Sequence, residues 1–171
     1  GADVPNPVTA LQGNQLPHQL NAHDYILVVA RPEPENHLLE IIQGYQLAGI
    51  SWPLVIVGDV KSHNSYQRKL LSLASNQVLF VGGIYDPAAL TALRLQAACH
   101  VHAHSVGGTN PSLLEAMACS SLIIALDNPF NREVAHDAAL YFQTPQQLAA
   151  HFQAIHADPH IHHYLQIRAC Q

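Results

Sequence analysis

The chain has 171 residues, of which 49% are hydrophobic and 11% are charged. This composition is typical of a globular domain and excludes a disordered or fibrous chain. The net charge of -5, with 7 lysines and arginines in all, argues against a nucleic-acid-binding protein, which needs a basic surface. It does not argue against one or two bound phosphates, which a helix N-terminus and two cations can hold.

The cysteines predict where in the cell the protein lies, and the chain ends predict whether the sequence is part of a longer protein. Cys99, Cys119 and Cys170 are far apart and lack CxxC spacing, which predicts reduced thiols in a cytoplasmic protein. No apolar run approaches the length of a transmembrane helix, and no signal peptide is visible. Because the sequence begins at Gly1 and stops at Gln171 within a predicted helix, we expect a piece of a larger protein.

Predicted strands and helices alternate along the chain after a proline-rich lead-in or linker over residues 1–24. Short apolar runs predict strands over 25–30, 53–57, 77–81, 99–105, 122–126 and 139–142. Apolar positions at helical spacing predict helices over 35–47, 64–75, 87–97, 111–118, 131–135, 145–156 and 159–169.

This alternation predicts an α/β fold, a doubly wound parallel sheet of the Rossmann-like type. Ligands of such sheets bind outside the carboxyl ends of the strands. The rule selects five short segments that follow strands: 31–36, 58–61, 82–86, 104–111 and 127–132.

Three residues after the first two strands are candidates for phosphate binding. Arg31 either forms a surface ion pair with Glu33 or Glu35 or clamps a phosphate, which its planar guanidinium can bind through two oxygens. Gly58 either lets a ligand approach the backbone or only makes the turn. Lys61 is either a second phosphate cation or an exposed lysine.

The stretch HSVGGTNPSLLEAMA, residues 104–118, is a glycine-rich turn that feeds a helix. Gly107 and Gly108 permit backbone angles that expose several N–H groups in one direction. Thr109 and Asn110 add side-chain donors, and the positive end of the following helix faces the same place. Together these features predict a binding site for a diphosphate.

Glu115 falls about one turn into the helix that follows this loop. At that position its carboxylate could accept hydrogen bonds from two neighbouring hydroxyls, as on a ribose. The alternative is a good helix former placed near the favourable end of the helix dipole.

The run HVHAHS places His100, His102 and His104 on one face of a strand. The outer two would stand roughly 13 Å apart at about 3.3 Å per residue, too far for one zinc ion. Two of them could share a metal, but no fourth ligand is obvious, and we expect no metal site here. His104, beside the glycine loop, is the better candidate as a hydrogen-bond partner of a phosphate or sugar.

These segments resemble the C-terminal half of retaining glycosyltransferases of family 4, enzymes of the two-domain GT-B type. Arg31 falls where that family has its strand-end arginine, LVIVGD at 54–59 and VLFVGGI at 78–84 resemble its second and third strands, and LLEAMA at 113–118 is the most specific match. The longer stretch HSVGGTNPSLLEAMAC resembles bacterial rhamnosyltransferases of polysaccharide assembly, which use dTDP-L-rhamnose.

The resemblance implies that residues 25–171 form a donor-binding domain for a nucleotide-diphosphate sugar. The acceptor-binding domain of the parent chain would lie outside this sequence, so this piece alone would transfer nothing. Transfer would retain the anomeric configuration and need no metal or other cofactor. We expect a cytoplasmic location, and the parent enzyme could associate with the inner face of the cell membrane.

The implied roles extend to particular residues. Arg31 and His104 are the candidate catalytic residues, and the remaining candidates would bind the nucleotide or its phosphates: Gly58, Lys61, Gly107, Gly108, Thr109, Asn110 and Glu115.

Two positions depart from the family pattern. The family carries two glutamates eight positions apart; the second matches Glu115, but the first position is Gly107 here. The family also tends to have a lysine five residues after the arginine, where this chain has Asn36. Two alternatives therefore stay open: a non-catalytic nucleotide- or sugar-binding module, and a sugar-nucleotide epimerase, although epimerases lack the LLEAMA segment.

Overall fold

A computed structural model describes residues 20–106, 111–119 and 121–169. Its six strands form one fully parallel sheet in the order β3-β2-β1-β4-β5-β6. The strands are β1 (Ile26–Val29), β2 (Leu54–Val57), β3 (Val78–Phe80), β4 (Cys99–His102), β5 (Ile123–Leu126) and β6 (Leu140–Phe142). The predicted doubly wound α/β fold is confirmed.

Helices connect the strands and cover both faces of the sheet. They are α1 (Leu38–Ala48), α2 (Ser65–Ser72), α3 (Pro87–Leu95), α4 (Pro111–Ala118), α5 (Pro129–Ala135), α6 (Pro145–Ala157) and α7 (His163–Ala169), with a 3-10 turn at Pro34–Asn36. Side-chain caps begin several of them: Asn64, Asp86, Asn128 and Thr144 each accept a hydrogen bond from a first-turn backbone N–H.

Two predicted elements differ from the structure in ways that affect the ligand edge. The helix predicted over 35–47 is interrupted at His37, whose φ of 54° ends the 3-10 turn before α1 begins. The strand predicted over 99–105 ends at His102, because its ladder with β5 stops where His102 pairs with Ala125. His104 therefore lies beyond the strand, in the segment that leaves the sheet.

The core lies on both faces of the sheet because the central strands are apolar in both directions. Ile26, Leu54 and Ile56 pack with residues of α1 and α6 on one face. Leu27 and Val55 pack with residues of α3 on the other.

The strand order creates one topological switch point. β1 and β4 are neighbours in the sheet, yet the chain leaves β1 towards β2 and β4 towards β5. Connections that diverge in this way leave a crevice beyond the carboxyl ends of the two strands. Among the described residues, no helix has the length and apolar character needed to cross a bilayer.

Candidate functional site

A cleft of ≈ 670 Å³ lies beyond the carboxyl ends of β1, β2 and β4, at the switch point. We call it the switch-point cleft. Its walls come from the segments after these strands, from the segment after β3 and from the start of α4: Arg31, Asn36, Gly58, Asp59, Tyr85, His104, Pro111 and Ser112 among others. The strand-end rule applied to the sequence thus points to the cavity that the structure contains.

Arg31 lies at the mouth of the switch-point cleft. Its side chain is 82% exposed, and Nη1 is 4.0 Å from Oε1 of Glu33, which is itself exposed. An ion pair this long between solvated groups contributes little free energy. The ion-pair alternative is therefore present as a weak contact that leaves the guanidinium facing solvent beside the cleft.

Gly58 has a structural reason to be glycine. A Cβ at this position would lie 2.1 Å from the carbonyl oxygen of Ala30, a backbone atom that cannot move aside. Its N–H donates to the carbonyl of Gly82 at 2.9 Å, which ties the end of β2 to the segment after β3. Close approach of β1 and β2 accounts for the glycine without a ligand.

Lys61 is not brought into the cleft. It is exposed, does not line the cavity, and its backbone N–H donates to Oε1 of Gln67 at 2.8 Å. This placement corresponds to the exposed-lysine alternative.

His104 is held on both its ring and its backbone. Nδ1 lies 2.8 Å from Oδ1 of Asn36, whose Nδ2 donates to the carbonyl of Arg31 at 2.8 Å. The carbonyl of His104 accepts from Nδ2 of Asn128 at 3.0 Å and from Nδ2 of Asn131 at 3.4 Å. Asparagines from the segments after β1 and β5 thus fix the residue that follows β4.

Glu115 forms an ion pair that the sequence does not predict. Its Oε2 accepts from Nη1 of Arg94 at 2.7 Å, and the guanidinium, on α3, is almost wholly buried. Arg94 also reaches the hydroxyl of Ser112, which lines the cleft, at 3.4 Å. Glu115 itself does not line the cleft; it stands one turn behind Ser112 with its side chain 57% exposed.

The two histidines of β4, His100 and His102, are buried beneath the site. Among the described residues, the ring of His100 has no hydrogen-bond partner on either nitrogen, and Nε2 of His102 has none. Burial, with smaller contributions from nearby cationic side chains, lowers the pKa of His100 to about 3 and that of His102 to about 4. Both rings are therefore neutral around pH 7, and no described cluster of three or more His, Cys, Asp or Glu residues could hold a metal ion.

The far wall of the cleft is built on Asp59. Its Oδ1 accepts from the N–H of Gly83 at 2.9 Å, and its Oδ2 accepts from the hydroxyl of Tyr85. The ring of Tyr85 is 81% exposed and lines the cavity. This contact joins the segments after β2 and β3 into one surface with an aromatic side chain on it.

The predicted site residues fall into three groups. Arg31, Gly58 and His104 line one cleft, whereas Lys61 and Glu115 do not. The predicted phosphate-binding residues Gly107, Gly108, Thr109 and Asn110 lie outside the described residues.

Asn36 and Arg94 are functional candidates that are not predicted from the sequence. Each does carry a signal: Asn36 stands at a departure from the family pattern, and Arg94 is the one charged residue in the apolar helix PAALTALRL.

Comparison with known proteins places the chain in a family. The model for glycosyl transferases group 1 matches residues 17–170, nearly the whole sequence. The chain belongs to the glycosyl transferase group 1 family. A search of curated proteins finds no match.

Solved structures share the fold at low sequence identity. The C-terminal domain of a glycosyl transferase group 1 family protein from Francisella tularensis is 18% identical, with a TM-score of 0.72, and the match covers 96% of this chain and 89% of that one. Sucrose-phosphate synthase from Thermosynechococcus elongatus is 23% identical, with a TM-score of 0.71 and coverage of 88% and 41%.

The Anabaena protein HepE, solved in complex with UDP and glucose, is 17% identical, with a TM-score of 0.73 and coverage of 86% and 43%. The chain thus spans about two fifths of the length of the synthase and of HepE.

Proposed function

We propose that this chain binds the donor, a nucleotide-diphosphate sugar, for a glycosyltransferase that transfers the sugar to a cell-surface polysaccharide or glycolipid. The observation that carries the proposal is that Arg31 and His104 follow neighbouring strands at the switch point and line one cleft. Family membership supports the reaction class. In this proposal the rest of the parent protein supplies the acceptor-binding domain, and the parent could associate with the inner face of the cell membrane.

The chemistry of the proposed reaction needs no metal. Negative charge develops on the β-phosphate of the donor as the bond to the sugar breaks. The guanidinium of Arg31 and the N-terminus of α4, whose first residues line the cleft, would stabilise this charge. The proposed site also includes the amides of residues 107–110, which lie outside the described residues, and Glu115 as the contact to the ribose.

Calorimetric titration of the chain with dTDP and UDP tests the site. We expect binding in the millimolar range or tighter, and Arg31→Ala should weaken it on the order of tenfold or more, because a charged donor to phosphate is lost. Arg68→Ala, which removes an exposed arginine of α2 that does not line the cleft, is the control. No heat with either nucleotide, or equal effects of the two substitutions, would contradict the proposal.

The base and sugar are proposed from the stretch HSVGGTNPSLLEAMAC. Its resemblance to rhamnosyltransferases favours dTDP-L-rhamnose as the donor, whereas HepE was solved with UDP. Titrations with dTDP, UDP and dTDP-L-rhamnose separate the two. Tighter binding of UDP than of dTDP would overturn the choice of donor and leave the proposed reaction class intact.

The ribose role of Glu115 has its own test. Glu115→Gln keeps an acceptor beside Arg94 but removes the charge, and it should weaken dTDP and UDP while leaving pyrophosphate unchanged. Equal weakening of all three ligands would remove the ribose role.

One observation favours a second candidate, a non-catalytic nucleotide-binding module. Asn36, at the place where the family tends to have a lysine, is buried and committed to Arg31 and His104, so this position adds no cation to the phosphate site. The parent protein would then bind the donor without turnover. Release of nucleoside diphosphate by the parent protein in the presence of donor and acceptor would eliminate this candidate.

A further inference from the structure

Asn36 joins the two strand ends that line the switch-point cleft. It is 9% exposed and lies at the end of the 3-10 turn after β1. Its Nδ2 is 2.8 Å from the carbonyl oxygen of Arg31, and its Oδ1 is 2.8 Å from Nδ1 of His104. The side chain therefore bridges the residue that follows β1 and the residue near the end of β4.

The polarity of this bridge follows from elementary hydrogen-bond chemistry. A backbone carbonyl only accepts, so the Asn36 atom beside Arg31 is the amide nitrogen. The amide oxygen then faces His104, and because it too only accepts, Nδ1 of His104 carries the proton. A neutral ring with its proton on Nδ1 has a lone pair on Nε2.

We propose that Asn36 is a positioning residue that holds His104 in the Nδ1–H tautomer, so that Nε2 accepts a hydrogen bond from a hydroxyl of the donor sugar. The inference rests on the proposed function for the identity of the ligand. The phosphate oxygens of a nucleotide sugar carry no proton near neutral pH, so they offer nothing for this lone pair to accept. Asn36 thus sets a contact to the sugar and not to the phosphates.

The backbone around His104 supports a fixed ring. Two amides from Asn128 and Asn131 donate to its carbonyl, and the N–H of the next residue, Ser105, donates to the carbonyl of Glu35 at 3.0 Å. Among the described residues, hydrogen bonds to the ring occupy Nδ1 alone. The ring nitrogen left for a ligand is Nε2.

Nitrogen-15 NMR of the histidine rings tests the tautomer without any ligand. In the full chain at about pH 8, we expect the His104 signals of the Nδ1–H form, assigned by their loss in His104→Gln. Asn36→Leu should shift the population towards the Nε2–H form, whereas Asn36→Asp, which still accepts from Nδ1, should keep it. An Nε2–H ring in the unsubstituted chain would overturn the proposal even if a variant failed to fold.

Paired titrations with dTDP and dTDP-L-rhamnose test the hydroxyl contact. His104→Asn keeps a donor near the Nδ1 position but loses the Nε2 acceptor, so it should weaken the sugar nucleotide several-fold to tenfold and leave dTDP unchanged. His104→Gln, which reaches towards the Nε2 position, should retain more affinity. Equal weakening of both ligands by His104→Asn would assign the contact to the nucleotide and overturn the sugar role.

Failure of the proposed function gives a different pattern. In that case none of dTDP, UDP and dTDP-L-rhamnose would bind the unsubstituted chain, while the NMR experiment would still decide the role of Asn36.

Discussion

The ends of β1 and β4 lie side by side at the centre of the sheet, and the side chains that follow them are held in different ways. After β1, Arg31 is 82% exposed and has one long contact, to Glu33 at 4.0 Å. After β4, His104 is bound through its ring and its carbonyl by three asparagines. An exposed guanidinium can adjust its position to a bound phosphate, whereas an imidazole ring held in place suits recognition of one particular group of the ligand.

The strands below these ends also differ. β1 is wholly apolar, with Ile26, Leu27 and Val28 buried in the two cores. β4 carries His100 and His102, both buried and both lacking hydrogen-bond partners on at least one nitrogen. The stability of the β4 side should therefore depend on pH. Substitutions on the two sides should separate effects on folding stability from effects on ligand binding.

The largest expected effect is a loss of stability in acid. The pKa values of His100 and His102 in the folded chain, about 3 and about 4, lie below the ordinary value of about 6.5, so the unfolded chain binds protons first as pH falls. Stability is fully present above about pH 6.5 and declines as pH falls towards the folded values. Near pH 5 the two rings together should cost up to about 4 kcal/mol of unfolding free energy.

Denaturant titrations near pH 7.5 and pH 5 measure this loss. His100→Leu should halve it, because an apolar side chain of similar size replaces an unpartnered ring. His63→Gln, which replaces a histidine at an exposed position, is the control. A variant lacking His100 that loses as much stability as the unsubstituted chain would contradict the assignment.

A substitution at the end of β2, beside β1, should lower the unfolding free energy by nearly as much, and at any pH. In Gly58→Ala the new methyl group would meet the carbonyl oxygen of Ala30, so the end of β2 must move away from β1, at a cost of about 3 kcal/mol. Gly83→Ala is the matched control, since its methyl group would meet the ring of Tyr85, a mostly exposed side chain that can rotate away.

Thermal or denaturant unfolding distinguishes the two glycines. A loss for Gly58→Ala no larger than that for Gly83→Ala would show that the strand ends can separate freely. In that case the glycine would have to be explained by a ligand.

Glu115 links stability to the proposed ribose contact. Removing it in Glu115→Ala leaves the buried guanidinium of Arg94 without a carboxylate, which should cost about 2 kcal/mol once the exposure of Glu115 is taken into account. Glu133→Ala, which removes an exposed glutamate from α5, should change stability by less than about 0.5 kcal/mol.

Unfolding free energies of the two glutamate variants at neutral pH decide this point. Equal stability of both would mean that Arg94 finds another partner or water. If Glu115→Ala is destabilised, part of any nucleotide affinity that it loses would come from unfolded chain and not from a lost ribose contact.

Much of the fold and the location of the site could be predicted because they depend on local patterns. Six apolar runs separated by helical spacing predict the parallel sheet, and strand ends place Arg31 and His104 at one edge. Side-chain partners depend instead on contacts between distant segments: Asn36 meets His104 across 68 positions and Arg94 meets Glu115 across 21. The break at His37, with its positive φ, was missed because helical periodicity continues through it.

Arg31→Ala should have the smallest effect on stability, and it distinguishes the ends of β1 and β4 most clearly. Its one contact is long and solvated, so the unfolding free energy should change by less than about 0.5 kcal/mol, whereas nucleotide affinity should fall on the order of tenfold. His104→Asn should spare dTDP and weaken the sugar nucleotide. If Arg31→Ala instead destabilises the chain, the guanidinium contributes to the fold, because the backbone carbonyl that Asn36 binds is still present in this variant.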